Sequence, residues 1–356
     1  MAEKLRIAVL GIDHPHGMGW RESLVHVSDE LEITALMPAF GNATASLEER
    51  LAELPRFDSV DALLKDGGGL FDSALVCLPN NAGPDAVVQL AQAGKHILLE
   101  KPGAANAAEA RRMAEAVRGA KVAFQNGFMW RYDELTNRLR DMCREDRFGK
   151  LISVEMTYAT SDVSRRDPGH YLFDAEQSGG GFFNWLACHH LDLLQYVTGE
   201  AITGVTARVG VFGGTETEVE DGGSALLDLA GGGLATFTGG YWHPRWMNDV
   251  QWTLRGTQRW VHWAPGRAGT GGALDIHGPQ PQFMAMDEVF ELPPDTVGGY
   301  GGQKMVNLLR DWIRCAREGG DCRNTPESTT ATLKIIDAIY EASEKARQVD
   351  CKIEAV

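Results

Sequence analysis

Strand-like and helix-like segments alternate through the first third of the chain, and this alternation constrains the fold more than any other feature of the sequence. Residues 5–10, 31–37, 71–78, 97–99 and 122–124 read as strands. Between them, 20–27, 46–54, 59–64, 85–93 and 107–118 carry helical spacing. Parallel strands need a crossover between them, usually a helix. The pattern therefore predicts a doubly wound, parallel, Rossmann-type sheet over residues 1–125.

From about residue 125 the texture changes. Residues 151–160, 205–212, 224–229, 234–241, 251–255 and 260–263 read as strands with hairpin signals, among them Ala230-Gly231-Gly232-Gly233. Helices are expected over 184–197, 303–317 and 326–347. Residues 126–356 are thus expected to form a C-terminal α+β domain with an open, mostly antiparallel sheet that binds substrate and joins subunits. The chain's 356 residues leave room for both units, since single cores stop growing at about 250–300 residues.

Composition excludes several classes of function. A formal net charge of -15 repels nucleic acid and anionic membrane surfaces and leaves a small molecule as the expected partner. The six cysteines contain no C-x-x-C pair, which argues against a disulfide framework or a structural zinc site and for a reducing cytoplasm. No apolar run reaches the roughly 18 residues of a spanning helix, and residues 1–10 lack the long apolar stretch of a secretion signal.

Within the first unit, Glu100-Lys101-Pro102 follows the apolar strand Ile97-Leu98-Leu99. Ligands of open α/β sheets bind at the carboxyl ends of strands, so Lys101 is placed for chemistry. The first strand leads into Gly11-Ile12-Asp13-His14-Pro15-His16-Gly17. This loop keeps the first glycine of the dinucleotide fingerprint G-x-G-x-x-G and departs at the next two. Asp13 is awkward beside a pyrophosphate unless it turns away, for instance to cap the following helix. His14 or His16, if protonated, would offset phosphate charge. Met37 stands at the end of the second strand, where an acidic residue would grip the ribose.

Taken in order, several motifs resemble those of the Gfo/Idh/MocA family, named for glucose-fructose oxidoreductase and inositol 2-dehydrogenase. They are Pro79-Asn80, Gly94-Lys95-His96 with Glu100-Lys101-Pro102, Gly127-Phe128-Met129-Trp130-Arg131-Tyr132, Gly179-Gly180-Gly181 with His189-His190-Leu191-Asp192, Val219-Glu220-Asp221, and Ala338-Ile339-Tyr340-Glu341-Ala342. The resemblance implies an N-terminal domain that binds NAD or NADP and a homo-oligomer. It also implies oxidation or reduction of a carbinol on a sugar, cyclitol or related polyhydroxylated molecule. Lys101 and His189 fall at the positions of the family's proton-handling pair. The expected cofactor contacts are Gly11, Ile12, Asp13, His14, His16, Met37, Leu78, Pro79, Asn80, Glu100, Lys101 and Pro102.

One departure concerns the substrate. Trp185 stands four residues before His189, where the resemblance implies an aspartate. Residues i and i+4 share a helix face, so Trp185 is expected to face the same cavity and to offer an indole for stacking. His170, Tyr171 and Arg166, with Arg165, are the other expected substrate contacts. Two alternatives stand beside this reading. One is a nicotinamide-binding lyase, hydrolase or non-catalytic binding protein. The other is a metal-dependent enzyme using His14, His16 and His189, although no carboxylate sits at ligand spacing and no metal is expected.

Overall fold

The computed structural model describes residues 3–14, 16–41, 51, 53–161, 163, 169–213, 217–245, 247–265, 271–279 and 287–345. Five parallel strands form the first sheet: β1 (Leu5–Leu10), β2 (Leu31–Met37), β3 (Ser73–Val76), β4 (His96–Leu99) and β5 (Phe124–Asn126), in the order β2-β1-β3-β4-β5. The helices between them are α1 (Gly17–Val25), α2 (Val60–Gly67), α3 (Gly83–Gln92) and α4 (Ala107–Ala120). Local chemistry sets their ends: the Ser59 side chain accepts from the Ala62 amide to cap α2, and Asn106 accepts from the Glu109 amide to cap α4. The helix expected over 46–54 lies mostly outside the described residues.

Both faces of this sheet are buried, as its continuous apolar strands require. Ala8, Leu10, Val76, Ile97 and Leu99 point into one core with Val87, Leu90 and Met113. Ile7, Val9, Leu75 and Leu98 point into the other. That second core is closed by Leu308, Leu309 and Trp312 of α7 (Gln303–Glu318), each fully buried. A helix from the far end of the chain thus completes the nucleotide-type layer.

The second sheet has eight strands, in the order β13-β12-β11-β10-β6-β9-β8-β7. They are β6 (Leu151–Thr160), β7 (Ile202–Gly210), β8 (Gly222–Leu229), β9 (Leu234–Gly240), β10 (Asn248–Gly256), β11 (Trp260–Pro265), β12 (Gly272–His277) and β13 (Glu288–Glu291). Neighbours pair antiparallel except β6 with β9, which is parallel. Strands β12 and β13 were not expected, because each is short and only half alternating. Val154, Met156, Phe237, Trp252 and Trp263 pack inward against α6 (Cys188–Thr198) and its neighbours, with α5 (Glu134–Arg144) and α8 (Pro326–Lys345) beside it. Leu226, Leu234, Trp260 and Val289 remain exposed. Among the described residues no helix is long and apolar enough to cross a membrane.

Candidate active site

The loop after β1 closes tightly. Gly11 has φ +70°, and a Cβ there would lie 1.9 Å from the Cys77 carbonyl oxygen, so only glycine fits. The amides of Gly11 and Ile12 donate to the Met37 carbonyl at 2.6 and 3.4 Å, which binds the loop to the end of β2. The Asp13 carboxylate turns aside and accepts from the Ala39 and Phe40 amides at 2.8 and 2.9 Å. It therefore caps the loop after β2 and not helix α1, whose N-cap residue His16 makes no side-chain capping bond. The first turn of α1 also carries no acidic residue, so its positive end is open to an anion.

The two loop histidines are engaged by protein groups. His14 Nδ1 accepts the His16 amide at 3.0 Å, which leaves Nε2–H to donate to the Tyr171 hydroxyl at 2.8 Å. His16 Nδ1 lies 3.1 Å from Glu100 Oε1, and Trp20 Nε1 donates to Glu100 Oε2. Burial pushes the Glu100 carboxyl up, but His16, Lys101 and the Trp20 indole together hold it below its usual range. Any positive charge on His16 is therefore shared with Glu100, and His14 has no nitrogen left to offer a phosphate.

Lys101, directly after β4, is buried to 1% exposure. Its Nζ donates to the Trp185 carbonyl at 2.5 Å and lies 3.8 Å from the centre of the Trp185 ring. Trp185 belongs to a π turn, Phe183–Ala187, that runs into α6, a deviation frequent at functional sites. The same indole lies 4.6 Å from the His16 ring, which in turn lies 4.6 Å from Tyr300. His189, from the first turn of α6, is also buried, with Phe128 edge-on at 5.8 Å. Burial, then Lys101, His190 and His16, push its pKa well below the ordinary histidine value. The imidazole is neutral at physiological pH, and its Nδ1 has no hydrogen-bond partner among the described residues.

The scaffold explains motifs whose roles could not be read from spacing. Glu220 Oε2 accepts the Gly181 amide at 2.6 Å and Oε1 accepts the Phe183 amide at 3.0 Å. Tyr340 donates to the same Oε1 at 2.8 Å. Glu220 thus caps the helical run that carries Trp185 and His189. A Cβ on Gly181 would lie 2.0 Å from the Glu220 carbonyl oxygen, which accounts for the glycine. Asp192 forms a buried two-point pair with Arg131, at 2.8 and 2.7 Å, and accepts from Thr332 at 3.0 Å. His190 Nδ1 accepts from Trp252 at 2.8 Å, and burial lowers its pKa to about 3. Only the first histidine of the pair is available for chemistry.

Other expected contacts divide. Tyr171 joins the cluster of His14, Phe40 and Trp185. His170 caps its own turn by accepting the Leu172 amide, and it lines a separate cavity with Phe173, Asp174 and Glu218. Arg165 and Arg166 lie outside the described residues. Leu78 is buried, and Asn80 donates to the Ser178 carbonyl at 2.7 Å, tying the sheet to the glycine turn. The Pro102 carbonyl accepts from Asn126 at 3.1 Å, and Gly127 packs against the Lys101 backbone. His14, His16 and His189 do not converge as a ligand set. Among the described residues that geometry is met by Asp311, Cys315 and Cys322.

Residues 5–128 match the model of an oxidoreductase family with an NAD-binding Rossmann fold, and residues 136–262 match a GFO/IDH/MocA C-terminal domain. Inositol 2-dehydrogenase of Rhizobium meliloti is 24% identical over 331 residues, covering 90% of this chain and 92% of that protein. Myo-inositol 2-dehydrogenase of Thermotoga maritima is 29% identical over 208 residues, covering 57% of this chain and 58% of that protein. Levoglucosan dehydrogenase in complex with NADH superposes with a TM-score of 0.83 at 18% identity, over 96% of this chain and 98% of that one. The aldose-aldose oxidoreductase of Caulobacter crescentus gives 0.79 at 21%, over 98% and 100%. At these identities the two structures establish a shared fold.

Proposed function

The chain belongs to the GFO/IDH/MocA family of NAD-binding oxidoreductases, and from that membership we propose that it oxidises or reduces a secondary carbinol of a sugar, cyclitol or related polyol, with Lys101 and His189 handling the hydroxyl proton. The observation that carries the reading is the burial of a neutral histidine with an unpartnered Nδ1 beside a buried lysine at the carboxyl end of a parallel strand. A neutral Nδ1 is ready to take the proton of a substrate hydroxyl. The Lys101 ammonium can donate to the same oxygen as negative charge develops on it.

The cradle fits a dinucleotide. Gly11 permits close approach of the loop, and the open positive end of α1 suits a pyrophosphate. A bound nicotinamide dinucleotide would supply the hydride acceptor or donor. With Met37 at the end of β2 no side chain there selects between NAD and NADP, and weak discrimination is the expected outcome. Trp185, buried between Lys101 and His16, and Tyr171 would wall the substrate side and exclude water. The exposed Leu226, Leu234 and Trp260 on the outer sheet face support a homo-oligomer, and the cysteine pattern supports a cytoplasmic setting.

The test has two parts. Calorimetric titration with NAD(H) and NADP(H) should show binding of at least one, and an absorbance screen over inositols, aldoses and anhydrosugars should show a change in nicotinamide reduction with at least one of them. Silence of both dinucleotides at millimolar concentration would overturn the reading.

A further inference from the structure

We propose that Cys315 and Cys322 form a redox-active pair that closes reversibly into a disulfide by exchange with a low-molecular-weight disulfide. The two thiols sit at the C-terminal end of α7 and just beyond it, where Gly319 and Gly320, with φ +80° and +89°, turn the chain back on itself. Their sulfurs lie within 4.8 Å of each other, and each thiol is within hydrogen-bonding reach of the other. Across such a short turn the two side chains need little rearrangement to join.

Access is one-sided. A cavity of about 360 Å³ opens on Cys315 and is lined by His96, Arg118, Lys121 and Asp321. His96 begins β4 while Lys101 follows its end, so this cavity lies at the opposite edge of the sheet from the active site. Arg118 on its wall is engaged by Asp321 and Glu327, and Lys121 beside it is the cation that can meet a carboxylate of an anionic thiol reagent such as glutathione. Burial pushes both thiols above their ordinary range; at Cys315 the hydrogen bond with Cys322, and then the Arg314 guanidinium 3.1 Å from Sγ, oppose this, whereas at Cys322 the same thiol–thiol hydrogen bond adds to it. Cys315 is therefore the attacking sulfur and Cys322 the resolving one.

The step balances. Cys315 as thiolate attacks one sulfur of oxidised glutathione and expels one glutathione, which takes up the proton that Cys315 lost. Cys322 then gives up its proton, attacks Cys315 Sγ and expels the second glutathione. The protein dithiol loses two electrons and the small disulfide gains them. Metal binding is the less suitable use of the cluster: Arg314 and the hydroxyl of Tyr132 already occupy Asp311 Oδ1 and Oδ2, at 2.7 and 2.6 Å.

The consequence reaches the active-site floor. Asp311 also accepts the Arg323 amide at 2.9 Å, and Asn324 donates to the carbonyls of Asn126 and Phe128 at 2.7 and 3.1 Å. These residues flank Gly127, which packs on Lys101.

The experiment treats reduced, full-length protein with oxidised glutathione and follows titratable thiols, intact mass and a peptide map. Loss of two thiols and two hydrogen masses, with a peptide joining Cys315 to Cys322 and reversal by dithiothreitol, is the expected result. Cys322→Ser should halt at a single glutathione on Cys315, whereas Cys315→Ser should leave Cys322 unmodified. Unchanged thiols, a lasting adduct on wild-type Cys315, a link to any other cysteine or co-purified stoichiometric zinc would each overturn the proposal. Should either serine variant fail to fold, the wild-type peptide map still decides.

Discussion

Lys101 Nζ lies in a buried site where, among the described residues, it forms no ion pair. The Trp185 carbonyl and indole face meet Nζ instead. A desolvated cation–π contact contributes about 2 kcal/mol, and truncating a buried tryptophan costs about 3–5 kcal/mol. Trp185→Ala should lower stability by that larger amount, measured by urea denaturation, while Trp185→Phe, which keeps the carbonyl and an aromatic face, should retain most of it. Trp185→Ala with unchanged stability would remove the indole from the packing account. The neighbouring histidines give a pH dependence. His189 and His190 have folded pKa values below the unfolded value of about 6.5, so the unfolded chain binds protons that the native state refuses. Their contribution is intact above pH ~6.5 and is lost as pH falls, with a slope of up to about 1.4 kcal/mol per pH unit for each group. For His190 the window runs down to about 3. His190→Asn, which keeps an acceptor for Trp252 and does not titrate, should flatten the fall in stability between pH 6.5 and 5. An unchanged slope would assign the acid sensitivity elsewhere.

The helical run from Phe183 to Thr198 holds both Trp185 and His189, and its start is secured by Glu220 from a distant segment. Glu220→Ala leaves two backbone amides and the Tyr340 hydroxyl without their acceptor. The expected loss is about 2 kcal/mol or more, on the scale of a helix cap plus a buried unsatisfied donor. Glu220→Gln, which keeps an acceptor oxygen, should lose less, and equal losses in both would contradict the capping role. Breaking the Arg131–Asp192 pair by Asp192→Ala should cost about 3–5 kcal/mol, since it strands a buried guanidinium. Much of this organisation was legible in the sequence at the level of elements. Apolar runs located β1 and β2, and the motif order placed Lys101 and His189. The π turn was not legible, because i+4 spacing implies an α-helix, and neither was the contact of Lys101 with the Trp185 carbonyl. Glu220 and Asp192 were seen as motif letters only, since their partners lie 39 and 61 residues away. Asp13 was expected either at the cofactor or turned away to cap the following helix, and its actual partners in the loop after β2 follow from tertiary packing.

At the scale of the whole molecule, the first sheet depends on a helix that enters it from beyond the second. Leu308, Leu309 and Trp312 cover Ile7, Val9, Leu75 and Leu98, so a fragment of residues 1–125 would expose that apolar face. Such a fragment should lack a cooperative thermal transition by circular dichroism, and a sharp transition would show that the face does not need α7. The same arrangement brings the end of β4 and the loop after β1, both from the first sheet, against the helical run that carries Trp185 and His189. That convergence is what the proposed chemistry requires, and it is best tested by a double-mutant cycle on Lys101 and His189 with dinucleotide affinity measured in parallel. Lys101→Ala and His189→Ala should each lower kcat/KM by about a hundredfold or more, with dinucleotide affinity nearly intact and the double mutant far from additive. Full turnover in His189→Ala, or losses that simply multiply, would contradict a shared role at the reacting hydroxyl.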